Sequence, residues 1–207
     1  MLQVLGRSSS INVRKVLWTC HELGLGFDNV QWGTPGLDLS SPEYRRLNPN
    51  SMVPVLVDGP FVLWESNAIC RYLAAREGDT RLLPDEPAAR AVVEQWMDWQ
   101  ASELNNAWRY AFMALVRKSP RHTDAGAVQE SMASWNRHMT ILDDALAKAG
   151  PYVTGATLTL ADVVLGLCTH RWYATPFDKP VLPAVERFYA TLHGREGFVR
   201  YGDNGQP

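Results

Sequence analysis

Residues 48–73 read NPNSMVPVLVDGPFVLWESNAICRYL, and the order of signals in this stretch decides the fold. Asn48-Pro49-Asn50-Ser51 is turn chemistry. Val53 to Val57 then runs apolar, Asp58-Gly59 punctuates, and Phe61 to Trp64 runs apolar again, which reads as a β-hairpin. Pro54 has no N–H to give a sheet ladder, so it belongs at a strand's entry. From Ser66 onward the period changes, with Ile69, Cys70, Tyr72 and Leu73 on one helical face. The stretch is a ββα unit.

Upstream, Leu2 to Leu5 reads as a short strand ending at Gly6. A polar loop follows, Arg7-Ser8-Ser9-Ser10-Ile11-Asn12. From Val13, residues Val13, Val16, Leu17, Cys20 and Leu23 lie at helical spacing, and Gly24 and Gly26 stop the helix. Phe27 to Trp32 reads as a second strand, so the chain opens with a βαβ unit, a right-handed crossover between parallel strands. Ser41-Pro42-Glu43 starts a short helix, with proline at its first position. Residues 1–80 thus form a small α/β layer. Residues 81–87, with Pro84, Pro87 and mixed charge, read as a linker. Residues 88–207 are almost wholly helical: a long, bent helix from Ala88 to about Val116, then Ala127 to Ala149, then Val163 to Trp172, and a last helix from Leu182-Pro183-Ala184 to about His193. Thr159-Leu160-Ala161-Asp162 is a capping box, to which no ligand role attaches.

The chain has 207 residues, 46% hydrophobic and 20% charged, with a net charge of −2. That composition suits a folded chain rather than a disordered one. The balanced charge argues against nucleic acid as a partner, and no apolar run nears the ~20 residues of a membrane span. The opening MLQVLGRSSS is no secretory signal by composition. Three scattered cysteines, Cys20, Cys70 and Cys168, support neither a disulfide framework nor a zinc site. The expected setting is a reducing cytoplasm, and no metal is expected.

Three features of the α/β layer carry potential chemistry. A hydroxyl in the serine loop lies near the positive end of the first helix, where free N–H groups favour anions. Met52-Val53-Pro54 at a strand entry suits a cis X-Pro bond, which turns the preceding backbone groups outward to pair with an extended peptide. Glu65-Ser66 opens a helix: the Ser66 hydroxyl and first N–H groups suit a carboxylate, and Glu65 suits an ammonium. Taken singly, each feature also has a purely structural reading, as a capped loop, an ordinary trans proline or a simple N-cap.

In combination these residues resemble the cytosolic glutathione transferases, most closely their bacterial serine-type (theta/beta-like) branch. The likeness lies in Gly6-Arg7-Ser8-Ser9-Ser10-Ile11-Asn12-Val13-Arg14-Lys15-Val16-Leu17, in Asn48 to Leu56, in Trp64 to Leu73, and in Leu158 to Asp162. It implies an α/β thioredoxin-like N-terminal domain, an all-α C-terminal domain and a homodimer. It implies glutathione as co-substrate: Val53, before Pro54, pairs with the cysteinyl part, and Glu65 and Ser66 hold the γ-glutamyl group. Ser10 occupies the catalytic hydroxyl position, Asn12 is the alternative holder of the sulfur, and Ser9 is a weaker candidate. Ser51 and Met52 stand where some members carry a Lys or His for the glycyl carboxylate, and that contact is unassigned.

The implied reaction is attack of the glutathione thiolate on a small electrophile, halogenated or carboxylate-bearing. Alternatives on the same fold are peroxide or disulfide reduction, dehalogenation, or a non-catalytic binding module. The electrophile is expected between the domains, near Trp108 and Phe112, which are spaced i, i+4 as an apolar wall or as core. Arg109 beside them is a candidate for a substrate carboxylate. Cys20 falls on the apolar helix face, so mixed-disulfide chemistry is not expected of it.

Overall fold

A computed structural model describes all of residues 1–207. The first part contains β1 (Leu2–Leu5), α1 (Ile11–Glu22), β2 (Phe27–Val30), α2 (Pro42–Leu47), β3 (Val55–Asp58), β4 (Phe61–Trp64) and α3 (Ser66–Arg76). The strands form one sheet in the order β2-β1-β3-β4. The βαβ crossover makes β1 and β2 parallel, and the Asp58-Gly59 turn makes β3 and β4 antiparallel. β1 pairs antiparallel with β3, with Leu5 opposite Val55. α1 and α3 cover one face through Val13, Val16, Leu17, Ile69 and Leu73, all buried. A smaller cluster of Leu5, Trp32, Tyr44 and Val55 fills the other face, under α2. The Ser41 hydroxyl caps α2 by accepting from the Tyr44 N–H at 3.2 Å, with Pro42 inside the first turn.

The second part contains α4 (Pro87–Trp99), α5 (Asn105–Leu115), α6 (Ala125–Ala149), α7 (Leu160–Ala174), α8 (Pro183–His193) and α9 (Glu196–Tyr201). The helix expected over residues 88–116 is interrupted: Gln100–Leu104 is a π-helical turn between α4 and α5. Such turns are rare and cluster at functional sites. The stretch before α4 is not a free tether either. Leu82 and Leu83 are buried in the main core, and the Leu82 carbonyl accepts from the Leu160 N–H at 2.9 Å. α7 is buried around its whole circumference from Leu160 to Trp172, the polar side chains of Asp162, Thr169, His170 and Arg171 included. It packs against α1, α4 and α8, so both parts of the chain share one core.

The Asp162 carboxylate anchors the start of α7. It is fully buried and accepts from the Thr159 N–H and hydroxyl at 2.8 and 2.9 Å and from the Val153 N–H at 2.8 Å. Leu158 and Val163, on either side of this cap, both lie in the core. Asp162→Ala leaves two buried N–H groups without an acceptor. It is expected to lower stability by about 2–4 kcal/mol, measured as a drop in the urea midpoint with an unaltered slope.

α9 has no counterpart among the helices expected from sequence. Gly197 is its key residue, because a Cβ there would sit 2.5 Å from Trp18 Cδ1. The missing side chain lets α9 lie against α1, and Phe198 packs on Trp18 at 5.3 Å. Arg195 ties the same junction to Glu22.

Candidate functional site

Register alone brings the three sequence features together. Leu5, Val55 and Trp64 lie side by side on adjacent strands, and Gly6, Pro54 and Glu65 are their neighbours along the chain at one edge of the sheet. Gly6 is the tightest point of this edge. A Cβ on it would come within 2.6 Å of Val13 Cγ2 and 3.0 Å of Val53 Cβ, and its φ is +150°. Only glycine lets the serine loop, α1 and the Val53-Pro54 junction meet. Gly6→Ala is expected to cost about 1–3 kcal/mol through overpacking and to weaken whatever binds at this edge; a denaturant titration and a binding isotherm would read the two effects.

α1 begins at this edge. Ser10 is its N-cap residue, with φ −82° and ψ 125°, but its hydroxyl makes no capping bond. Its N–H donates to the Arg7 carbonyl at 3.0 Å. The side chains of Ser9, Ser10 and Asn12 are half-buried. All three are left free next to the unsatisfied N–H groups of a helix start.

α3 begins beside it. Glu65 has φ +74° and ψ 111°, outside the conformations a residue with a Cβ prefers. Holding it there costs roughly 1–3 kcal/mol, a kind of strain that clusters at binding sites. Its exposed carboxylate makes no cap bond. Ser66 is buried. The Val53–Pro54 bond is cis. Met52 directs its carbonyl inward, where it accepts from Tyr44 Oη and Asn48 Nδ2, each at 2.9 Å, and its side chain is exposed. Ser51 is half-buried, with φ +54°.

Lys15 locks these elements to the helical part. It is fully enclosed, donating to Gln100 Oε1 at 2.6 Å and Asn67 Oδ1 at 3.2 Å. Burial lowers its pKa, with nearby Glu65 acting in the opposite direction. Gln100 opens the π-helical turn, so that turn delivers the acceptor for a buried cation. Neither residue was among the sequence candidates; a lysine among the apolar positions of α1 was the available signal.

The second expected subsite is more varied. Trp108 and Phe112 are both buried, with rings edge-to-face at 5.4 Å. Arg109 does not join them: it is exposed and forms no ion pair. The cations on this wall are others. The Arg171 guanidinium lies 4.6 Å from the Trp108 ring and 4.1 Å from Phe112, and Arg117 lies 5.4 Å from Phe112. Arg171 comes from α7, whose capping box carries no ligand role and whose arginine is not among the residues expected here.

All three cysteines are free and buried. Burial pushes the thiols of Cys20 and Cys70 up to about 12 and about 11, and raises that of Cys168. Thiols this protonated are inert, so the reactive polar groups at the sheet edge are hydroxyls and amides. No three His, Cys, Asp or Glu side chains are grouped to hold a metal ion. No helix is long and apolar enough to cross a membrane.

The sheet order, the crossover and the helical second part define a thioredoxin-like domain joined to an all-α domain, with neutral donors and one free carboxylate along a shared edge. The glutathione S-transferase N-terminal domain family matches residues 9–76. Glutathione S-transferase GstB of Escherichia coli K12 is 36% identical over 197 residues, 94% of each chain. Glutathione S-transferase D6 of Drosophila melanogaster is 29% identical over 189 residues, 91% of this chain and 85% of that protein. Among solved structures, the theta class glutathione S-transferase of Xanthomonas axonopodis pv. citri, with glutathione bound, superimposes with a TM-score of 0.91 at 36% identity, covering 97% and 96% of the two chains. The chain belongs to the glutathione S-transferase family.

Proposed function

We propose that this protein is a glutathione transferase that holds glutathione along the edge formed by Gly6, Pro54 and Glu65 and activates its thiol for attack on small electrophiles, in a detoxification role. The observation that carries this reading is the convergence, by strand register, of two helix starts whose polar side chains are left without partners. In it, the γ-glutamyl carboxylate takes the Ser66 hydroxyl and the first N–H groups of α3. The ammonium takes Glu65, and the cysteinyl backbone pairs with Val53. For the glycyl carboxylate, which needs a donor, Ser51 offers a half-buried hydroxyl two residues before Val53.

A free thiol has a pKa of about 8.5, so little of it is thiolate at neutral pH. Lowering it by about two units takes roughly 2.7 kcal/mol. One charge-assisted hydrogen bond from Ser10 (about 1.5–3 kcal/mol) and the end of α1 (about 0.3–1 kcal/mol) suffice. Ser10 acts as a donor and need not ionise. The sulfur attacks the electrophilic carbon, and the leaving group departs with its bonding pair.

The inert state of the three cysteines supports conjugation over disulfide exchange through a thiol of the chain itself. A homodimer is part of the reading, and the exposed side chains of Phe61 and Trp64 on β4, with Met52 exposed ahead of β3, support it. So is a reducing cytoplasmic setting, in keeping with free cysteines. Retention on immobilised glutathione, followed by conjugation of a haloarene, tests the function; light scattering tests the dimer. Failure to retain glutathione at millimolar concentrations rejects the reading.

A further inference from the structure

We propose that Lys15 is a positioning residue for glutathione: by holding Asn67 and Gln100 together inside the molecule, it fixes the start of α3, and with it Glu65 and Ser66, where the γ-glutamyl group binds. The inference rests on the glutathione-transferase reading and specifies what keeps that half of its site in shape.

Lys15 is a costly residue where it stands. Its neighbours on α1, Val13, Val16 and Leu17, are core residues, and only 2% of Lys15 itself is exposed. Its two hydrogen bonds go to the carboxamide oxygens of Gln100 and Asn67, at 2.6 and 3.2 Å. Neither partner is an anion, so no opposite charge in contact offsets the lost hydration. Glu65 is the one carboxylate close enough to oppose the effect of burial. An apolar side chain of similar length would fill the space with a smaller desolvation penalty. It could not draw two oxygens from separate helices to one point.

Both oxygens belong to segments on which the site depends. Asn67 is the second residue of α3, directly after Ser66. Its carboxamide is committed at both ends: the oxygen accepts from Lys15, and the nitrogen donates to the Met97 carbonyl of α4 at 2.9 Å. Gln100, just beyond Met97 on the chain, is buried and begins the π-helical turn. Lys15, Asn67 and Gln100 therefore tie together α1, the start of α3 and the junction of α4 with α5.

The first turn of α3 is where such a tie is needed. Glu65 is held at φ +74°, a conformation that persists only where the surroundings over-determine it. The Glu65 carbonyl accepts from the Ile69 N–H at 2.9 Å, a bond within the helix itself. Of the side chains at positions 65–67, Asn67 alone is hydrogen-bonded to another part of the chain. Lys15 holds that side chain, and through it the two residues that receive the γ-glutamyl group.

The test compares the wild-type protein with Lys15→Met, which keeps the bulk and removes the donors. Hydrogen exchange needs no ligand. The Ile69 amide is expected to exchange about tenfold faster or more in the variant, with the amides of β1 and α7 unmoved. In conjugation of 1-chloro-2,4-dinitrobenzene, KM for glutathione is expected to rise about tenfold or more. At saturating glutathione kcat should be nearly unchanged, and so should the ultraviolet titration of the bound thiol. A merely structural role would lower the active fraction, hence kcat, and leave KM alone. Asn67→Ala cuts the same tie at its far end and is the variant to read should Lys15→Met fail to fold. It should speed Ile69 exchange and raise KM as Lys15→Met does, and the double variant should be no worse than either single one.

An Ile69 amide that exchanges alike in wild type and variant overturns the inference. So does an unmoved KM, or a raised thiol pKa in its place, which would make Lys15 a charge acting on the sulfur. Additive losses in the double variant overturn the route through Asn67. A wild-type protein that does not retain glutathione, with an Ile69 amide that still responds to Lys15→Met, would reject the glutathione reading and leave Lys15 as the residue that holds the start of α3.

Discussion

Ser10→Ala is expected to raise the pKa of bound glutathione's thiol by about one to two units and to slow conjugation at neutral pH by roughly ten- to a hundredfold, with little loss of glutathione affinity. The sign follows from which state the hydroxyl favours. Its hydrogen bond stabilises the thiolate far more than the thiol, so removing it shifts protons back onto sulfur. The rate deficit is therefore largest below the bound pKa and closes as pH rises above the mutant's own value, where both enzymes hold thiolate. Ultraviolet titration of the bound thiolate gives the pKa directly, and the rate profile should follow it. The prediction depends on the free hydroxyl at the start of α1. Ser9 and Asn12 lie on the same turn, so an unmoved titration in Ser10→Ala would transfer the role to one of them. Asn12→Ala and Ser9→Ala, titrated alike, would say which.

Glu65→Ala should act on the other variable. Losing one charge-assisted contact to the ammonium is expected to weaken glutathione binding about ten- to a hundredfold while leaving the thiol titration nearly unmoved. Calorimetry measures the first, and the same ultraviolet titration measures the second. Equal affinity in the mutant would reject the assignment. The strained backbone at Glu65 supplies a control. At φ +74°, glycine is more comfortable than any residue with a Cβ. Glu65→Gly should therefore bind glutathione as weakly as Glu65→Ala yet unfold at higher denaturant. That pattern separates the work of the carboxylate from the conformational cost of placing it.

Much of the candidate site is legible in the amino-acid sequence. The hairpin from Val55 to Trp64 and the crossover from β1 to β2 follow from alternating apolar runs and from the punctuation at Asp58-Gly59 and Gly24. The Ser10, Pro54 and Glu65 features sit at element ends, as their local patterns imply. Elsewhere local pattern falls short. The interruption at Gln100–Leu104 carries no breaker residue; the contact it makes is with Lys15, far away in α1. Leu82 and Leu83 look like linker because Pro84, Pro87 and charges surround them, yet they plug the core. Gly197 looks like a helix breaker and is instead the space that Trp18 fills. Arg109 is the sequence's candidate cation beside the apolar wall, but it faces solvent.

From sequence alone came the two-part architecture and the candidate residues at element ends, since periodicity, turn chemistry and capping depend on neighbours a few positions apart; strand register gathered those residues at one edge of the sheet. Tertiary structure decided which cations stand against Trp108 and Phe112, and that Arg14 and Arg171 meet at the tail. Those choices turn on residues far apart in the chain, whose desolvation and pairing exist only once the core has closed. Local pattern has no access to such energies.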